Sequence, residues 1–157
     1  PLVIDPVKQV DSFDSCAAYG NPIMESFPRR CMHDGVSYTE IVRAVPVAEH
    51  NDMIRVFSPL QYEKISSPLT MKGEARGNWF FEASFPVYLT DWDGLIIAQG
   101  IAQAQEEWMT EEYVPFTVTL SFEKPMYGEK GTLILKKDNP SGLPEHDDAL
   151  EFDILFQ

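Results

Sequence analysis

The stretch PFTVTLSFE, residues 115–123, alternates strictly: Phe116, Val118, Leu120 and Phe122 fall on one face, and Thr117, Thr119 and Ser121 on the other. That period of two is what a half-buried β-strand requires, because successive side chains leave a strand on opposite sides. Working outward, LEFDILF near the end puts Leu150, Phe152, Ile154 and Phe156 on one face. FFEASFPVYLTD offers Phe81, Ala83, Phe85, Val87 and Leu89, with Pro86 suggesting an edge strand or a bulge because proline cannot donate to a ladder. LIIAQGIAQAQ offers Ile96, Ala98, Gly100, Ala102 and Ala104, small residues that would leave room for facing aromatic side chains. MIRVFSP, SPLTMKGEA and GTLILKKD complete about seven strands, separated by turn clusters such as DWDG, KPMYGEKG and DNPSGLPEHDD. No long helix-period segment lies between them, so the pattern predicts an all-β, antiparallel β-sandwich rather than a parallel α/β sheet.

The residues before this region have another texture. DSFDSCAAYGN reads as a short helix, with Asp11 or Ser12 as N-cap and Gly20 able to end it. PIMESFPRRCMHDGVSYTEIV reads as extended chain returned on itself at HDG, a hairpin. A helix and a hairpin this small have little core of their own. The expected organisation is a small N-terminal segment over 1–46, a linker over 47–52 and the sandwich over 53–157.

With 157 residues the chain has room for one main hydrophobic core, and 44% hydrophobic content rules out a disordered chain. No apolar run reaches the ~20 residues that span a bilayer. The start, PLVIDPV, has no basic and apolar leader, so any signal peptide or lipid anchor is expected to have been removed or to lie outside this sequence, and its absence says little about export. The net charge of -13, from 12 basic and 25 acidic residues, would repel nucleic-acid phosphates and anionic headgroups. Nucleic acid is therefore not an expected partner, nor is direct membrane insertion.

SPLTMKGEARGNWFFEASFPVYLTDWDG, then WMTEEYVPFTVTLSF, then GTLILKKDNPSG, in that order, resemble the immunoglobulin-like domain of bacterial spore germination. The likeness runs from about Ile54 to the end. It implies an immunoglobulin-like sandwich, an extracytoplasmic module often found on lipoproteins or beside other envelope domains, and no catalytic residues. CAAYGNPIMESFPRRC followed by GVSYTE resembles a small two-cysteine module near the N-terminus of secreted and lipid-anchored bacterial proteins, which again implies export.

Cys16 and Cys31 are the only cysteines. A helix followed by an extended strand can bring them to bonding distance, and closing a loop of this length would stabilise by roughly 3 kcal/mol. A zinc site would need four ligands, and His33 adds only one; a redox pair would want Cys-x-x-Cys spacing. A structural disulfide is the expectation, and with it a place outside the reducing cytoplasm.

TDWDGL carries Asp-x-Asp-Gly but fails as an EF-hand, because Leu89 and Gly100 fall where the first and last ligands belong. It reads as a turn. Asp138, Glu145, Asp147 and Asp148 could share a weak calcium ion, although a solvated acidic loop explains them too. Glu106, Glu107, Glu111 and Glu112 flank Trp108 and Tyr113, as paired carboxylates beside sugar-stacking rings do in glycosidases. His33, His50 and His146 are isolated, Ser141 lacks a nucleophile elbow, and no phosphate loop occurs.

The expected function is a non-catalytic, extracytoplasmic binding or structural module of the bacterial envelope that recognises a protein or cell-wall component, with no cofactor or metal. Its binding surface would use exposed aromatic residues: Trp92, Trp108, Tyr113 and Tyr127. The alternatives are a wall-glycan binder or weak hydrolase built on Glu106 to Glu112, and a calcium-stabilised adhesive domain.

Overall fold

Ser12 starts the first helix in this computed structural model, which describes residues 9–157; the reading of the first seven residues lies outside that range. The Ser12 hydroxyl accepts the Ser15 N–H at 3.1 Å, and the Ser15 hydroxyl accepts the Ser12 N–H at 3.0 Å. This reciprocal cap fixes α1, Phe13–Ala18, and Gly20 with φ 95° ends the turn that follows. Strands β1 (Ile23–Met24), β2 (Arg30–His33) and β3 (Val36–Thr39) form an antiparallel sheet in that order. Asp34 and Gly35, both at positive φ, make the tight turn between β2 and β3 that HDG predicts. Cys16 on α1 and Cys31 on β2 form a disulfide with Cα atoms 6.1 Å apart. With Phe13 they are the buried core of this unit, against which Val10, Ile23 and Tyr38 pack.

One compact unit ends at Arg43 and a second spans Ala44–Gln157. Residues 47–52, expected to be a linker, are built into the second: Val47 packs on its core and His50 bridges to Ile54. The remaining strands are β4 (Ile54–Ser58), β5 (Lys64–Ile65), β6 (Leu69–Arg76), β7 (Ser84–Thr90), β8 (Ile96–Ala104), β9 (Tyr113–Leu120), β10 (Lys130–Lys136) and β11 (Ala149–Phe156). Hydrogen bonding links them in the order β4-β6-β9-β8-β7-β10-β11-β5. Between β8 and β9 only Gln103↔Thr117 and Ala104↔Phe116 are in register. There the sheet folds over, so that β4-β6-β9 forms one layer and the other strands the facing one. Phe85 of β7 meets Phe116 of β9 edge to face across the interior, ring centroids 5.0 Å apart.

Three expectations about strand faces change. Glu82 and Ala83 take positive φ, so β7 begins only at Ser84 and Phe81 is exposed. In β8 the register jumps between Leu89↔Ala98 and Thr90↔Ile96. The skipped residue, Ile97, packs against the core, and Ile96 is turned to solvent. Gly100 does make room, but for aliphatic side chains: a Cβ there would stand 2.7 Å from Leu120 Cδ2. Pro86, expected at an edge or a bulge, lies in an interior strand, opposite Ile101 of β8 and one residue beyond the last β7–β10 pair, Leu135↔Val87.

Two outcomes test this architecture. Phe116→Ala, which opens the space between the layers, is expected to cost ~3–5 kcal/mol in urea unfolding, whereas Ile96→Ala costs well under ~1 kcal/mol. Reduction, or Cys16→Ser with Cys31→Ser, is expected to abolish amide protection in the first unit while leaving the melting of the second unchanged.

Candidate functional site: the two ends of the sandwich

Register decides which side chains gather at the end where β9 begins. Pairing places Arg76 opposite Tyr113 and Arg55 opposite Glu74, all on the outer face of the β4-β6-β9 layer. The guanidinium carbons of Arg55 and Arg76 stand 3.9 and 4.3 Å from the centre of the Tyr113 ring. Both cations are matched: Arg55 bonds Glu49 and Glu74 at 3.0 Å each, and Arg76 bonds Asp52 at 2.9 Å. The Tyr113 hydroxyl donates to Asp52 at 3.0 Å. That bond, together with Arg76, holds the Asp52 carboxyl below its ordinary range. Burial pushes the Tyr113 hydroxyl up, and the Asp52 carboxylate adds to the effect.

Trp108 is also committed inward, packed on the core and edge to face with Phe81 at 6.4 Å. Glu106, Glu107, Glu111 and Glu112 are exposed. The Glu107 carboxylate accepts the Met109 N–H at 3.0 Å, and Thr110 Oγ1 accepts the Glu112 N–H at 3.1 Å, so these residues shape a turn. A shallow cavity of about 390 Å³ nearby is bounded by Arg76, Asn78, Thr110 and Glu111, only one of the four glutamates.

The opposite end differs. The β7–β8 turn is held by the Asp91 carboxylate, which accepts the N–H groups of Asp93 and Leu95 at 2.9 Å each. This leaves Trp92 60% and Leu95 65% exposed. The β9–β10 loop adjoins it: a Cβ on Gly128 would stand 2.5 Å from Trp92 Cδ1, so the indole lies on the glycine backbone. In the same loop Met126 and Tyr127 are 89% and 75% exposed. Of the four aromatic residues expected at a surface, the fold therefore groups Trp92 with Tyr127 and uses Trp108 and Tyr113 within the opposite end. Leu95 and Met126 join the first pair and were missed. The available signal was a large apolar residue inside a turn-forming cluster, DWDGL or KPMYGEKG.

A family model, described as the immunoglobulin-like domain of bacterial spore germination, matches residues 53–142. The chain belongs to that family. Comparison with curated proteins and with solved structures returns no match. The family is not one known for enzymatic activity. In this spore-germination-type domain Trp79 and Phe80, within the first of the stretches that carried the resemblance, lie between strands β6 and β7. Trp79 ends a 3-10 turn, Gly77–Trp79, and is wholly buried with its carbonyl accepting the Asp138 N–H at 3.1 Å.

The family match stops at residue 142, but the immunoglobulin-like sandwich runs on through β11, which pairs with β10 from Lys136↔Ala149 to Lys130↔Leu155. The loop between these strands is tied from within. Asn139 donates to Asp147 at 2.8 Å, and His50 Nε2 meets Asp148 Oδ1 at 2.7 Å, with the His50 ring edge to face on Trp79. Of the four acidic residues that could share calcium, Asp147 and Asp148 are thus drawn to different partners. Among the described residues, no three His, Cys, Asp or Glu side chains are placed to hold a metal ion. No helix among them is long and apolar enough to cross a membrane.

Burial opposes ionisation of Asp148, yet hydrogen bonds from His50, Asn51 and the Ala149 N–H hold its carboxyl below the ordinary value of 3.8. A carboxyl depressed in the folded state stabilises above its unfolded pKa and ceases to do so as pH falls through the folded one. The urea midpoint of the second unit is therefore expected to fall as pH drops below about 4, and Asp148→Asn is expected to flatten part of that slope.

Proposed function

We propose that this chain is a non-catalytic binding module of the bacterial cell envelope, working outside the reducing cytoplasm. The observation that carries the reading is the loop end where Trp92, Leu95, Met126 and Tyr127 stand in solvent. Large apolar side chains grouped on a rigid sandwich are what recognition surfaces are made of, and burying them against a partner is favourable. The location is supported by the first unit, whose buried core of Phe13, Cys16 and Cys31 includes the disulfide itself. Such small units persist where thiols are oxidised. Spore-germination-type family membership supports the same setting. Glu106, Glu107, Glu111 and Glu112 flank the end opposite Trp92 and Tyr127, so the glycan-hydrolase reading built on those four glutamates gains no support from the exposed rings.

The test has two parts, carried out on the protein in its own bacterium. Thiol alkylation before and after reduction should find Cys16 and Cys31 blocked until reductant is added; free thiols in intact cells would defeat the extracytoplasmic placement. A photo-crosslinking amino acid at position 127 should capture an envelope component, and no adduct at all would defeat the binding role.

A further inference from the structure

We propose that the Trp92–Tyr127 end docks a cationic polypeptide segment that presents an apolar side chain between lysines or arginines; this rests on the binding-module reading above and specifies the partner's chemistry. Two features of the same two loops lead there. The first is the pre-set apolar surface. The Trp92 indole is seated on the Gly128 backbone with most of its area in water, and Leu95, Met126 and Tyr127 are more exposed still. Little side-chain ordering remains to be done at Trp92 when a partner covers it.

The second is charge. Asp91 and Asp93 bracket Trp92, and Glu123 and Glu129 lie on either side of Met126 and Tyr127. Asp93, Glu123 and Glu129 are exposed, and the Asp91 carboxylate holds the turn that carries Trp92. Against these four stands exposed Lys124, while Lys130 sits 3.5 Å from Asp153. The whole chain adds a field of net charge -13. Anionic headgroups would be repelled from such a surface, so its exposed apolar residues do not suit a membrane. Neutral glycan would stack on the rings but gain nothing from the carboxylates. A basic segment with an apolar residue uses everything present: carboxylates meet its cations, the faces of Trp92 and Tyr127 accept them, and the apolar residue covers Leu95 and Met126.

Titration of the full chain should distinguish these ligands. The probes are a short lysine-flanked peptide carrying leucine and tryptophan, the same peptide with glutamate in place of lysine, anionic phospholipid vesicles, and soluble peptidoglycan fragments. The lysine peptide should bind most tightly, and its affinity should weaken with added salt. Asp93→Lys with Glu123→Lys should weaken it by about tenfold or more, as should Met126→Ser with Tyr127→Ser, whereas Met109→Ser at the other end leaves it unchanged. Equal binding of the glutamate peptide, binding of vesicles or glycan in its stead, or indifference to both pairs of substitutions would overturn the proposal. If position 127 still crosslinks to an envelope component in cells, the binding-module reading survives that failure; if it crosslinks to nothing, both fall.

Discussion

Phe85 and Phe116 meet edge to face between the two layers, and the sandwich depends on contacts of that kind because it has no covalent link. Both cysteines belong to the other unit. Phe80 extends the ring cluster at 5.2 Å from Phe85, and Trp79 is buried entirely. Ring pairs of this geometry add to area burial and are directional, so they fix how the layers face each other as well as holding them together. With the interior settled by β6, β7, β9, β10 and β11, the loops at either end are free to differ in chemistry without cost to the core.

The two ends have used that freedom in opposite ways. Where β9 starts, the side chains satisfy one another: two arginines stack on one tyrosine, and three carboxylates neutralise them. Where β9 ends, polar groups such as the Asp91 carboxylate are spent on shaping a turn, and apolar side chains are left without cover. An internally matched network offers a partner little, since any new ion pair must replace an existing one. An uncovered apolar group has no such competitor.

Strands with strict alternation were legible in the sequence because burial of one face imposes it; β9 and β11 follow the pattern almost residue by residue. Alternation misled where a local irregularity changed its phase. The bulge opposite Leu89 and Thr90 exchanged Ile96 for Ile97, and the positive φ values at Glu82 and Ala83 cut Phe81 off from β7. The helix cap, the hairpin turn and the cysteine pair were legible too, being local chemistry. The grouping of exposed aromatics was not. Whether Tyr113 faces solvent or two guanidiniums depends on strands that begin about forty to sixty residues earlier, and composition around Tyr113 carries no trace of Arg55 or Arg76. Only the pairing of β4, β6 and β9 brings them together.

The bond between His50 and Asp148 joins residues 98 positions apart, and β11, the last strand, pairs with both β10 and the distant β5. Contacts at such separation form only after nearly the whole segment is present, and folds dominated by them are slow to assemble. A nascent chain that has not yet delivered β11 cannot close this sandwich. Before then β5 has no ladder partner and β10 is paired on one side only, to β7. Until that last strand of the unit emerges, one side of β10 and the His50 ring are left without their partners.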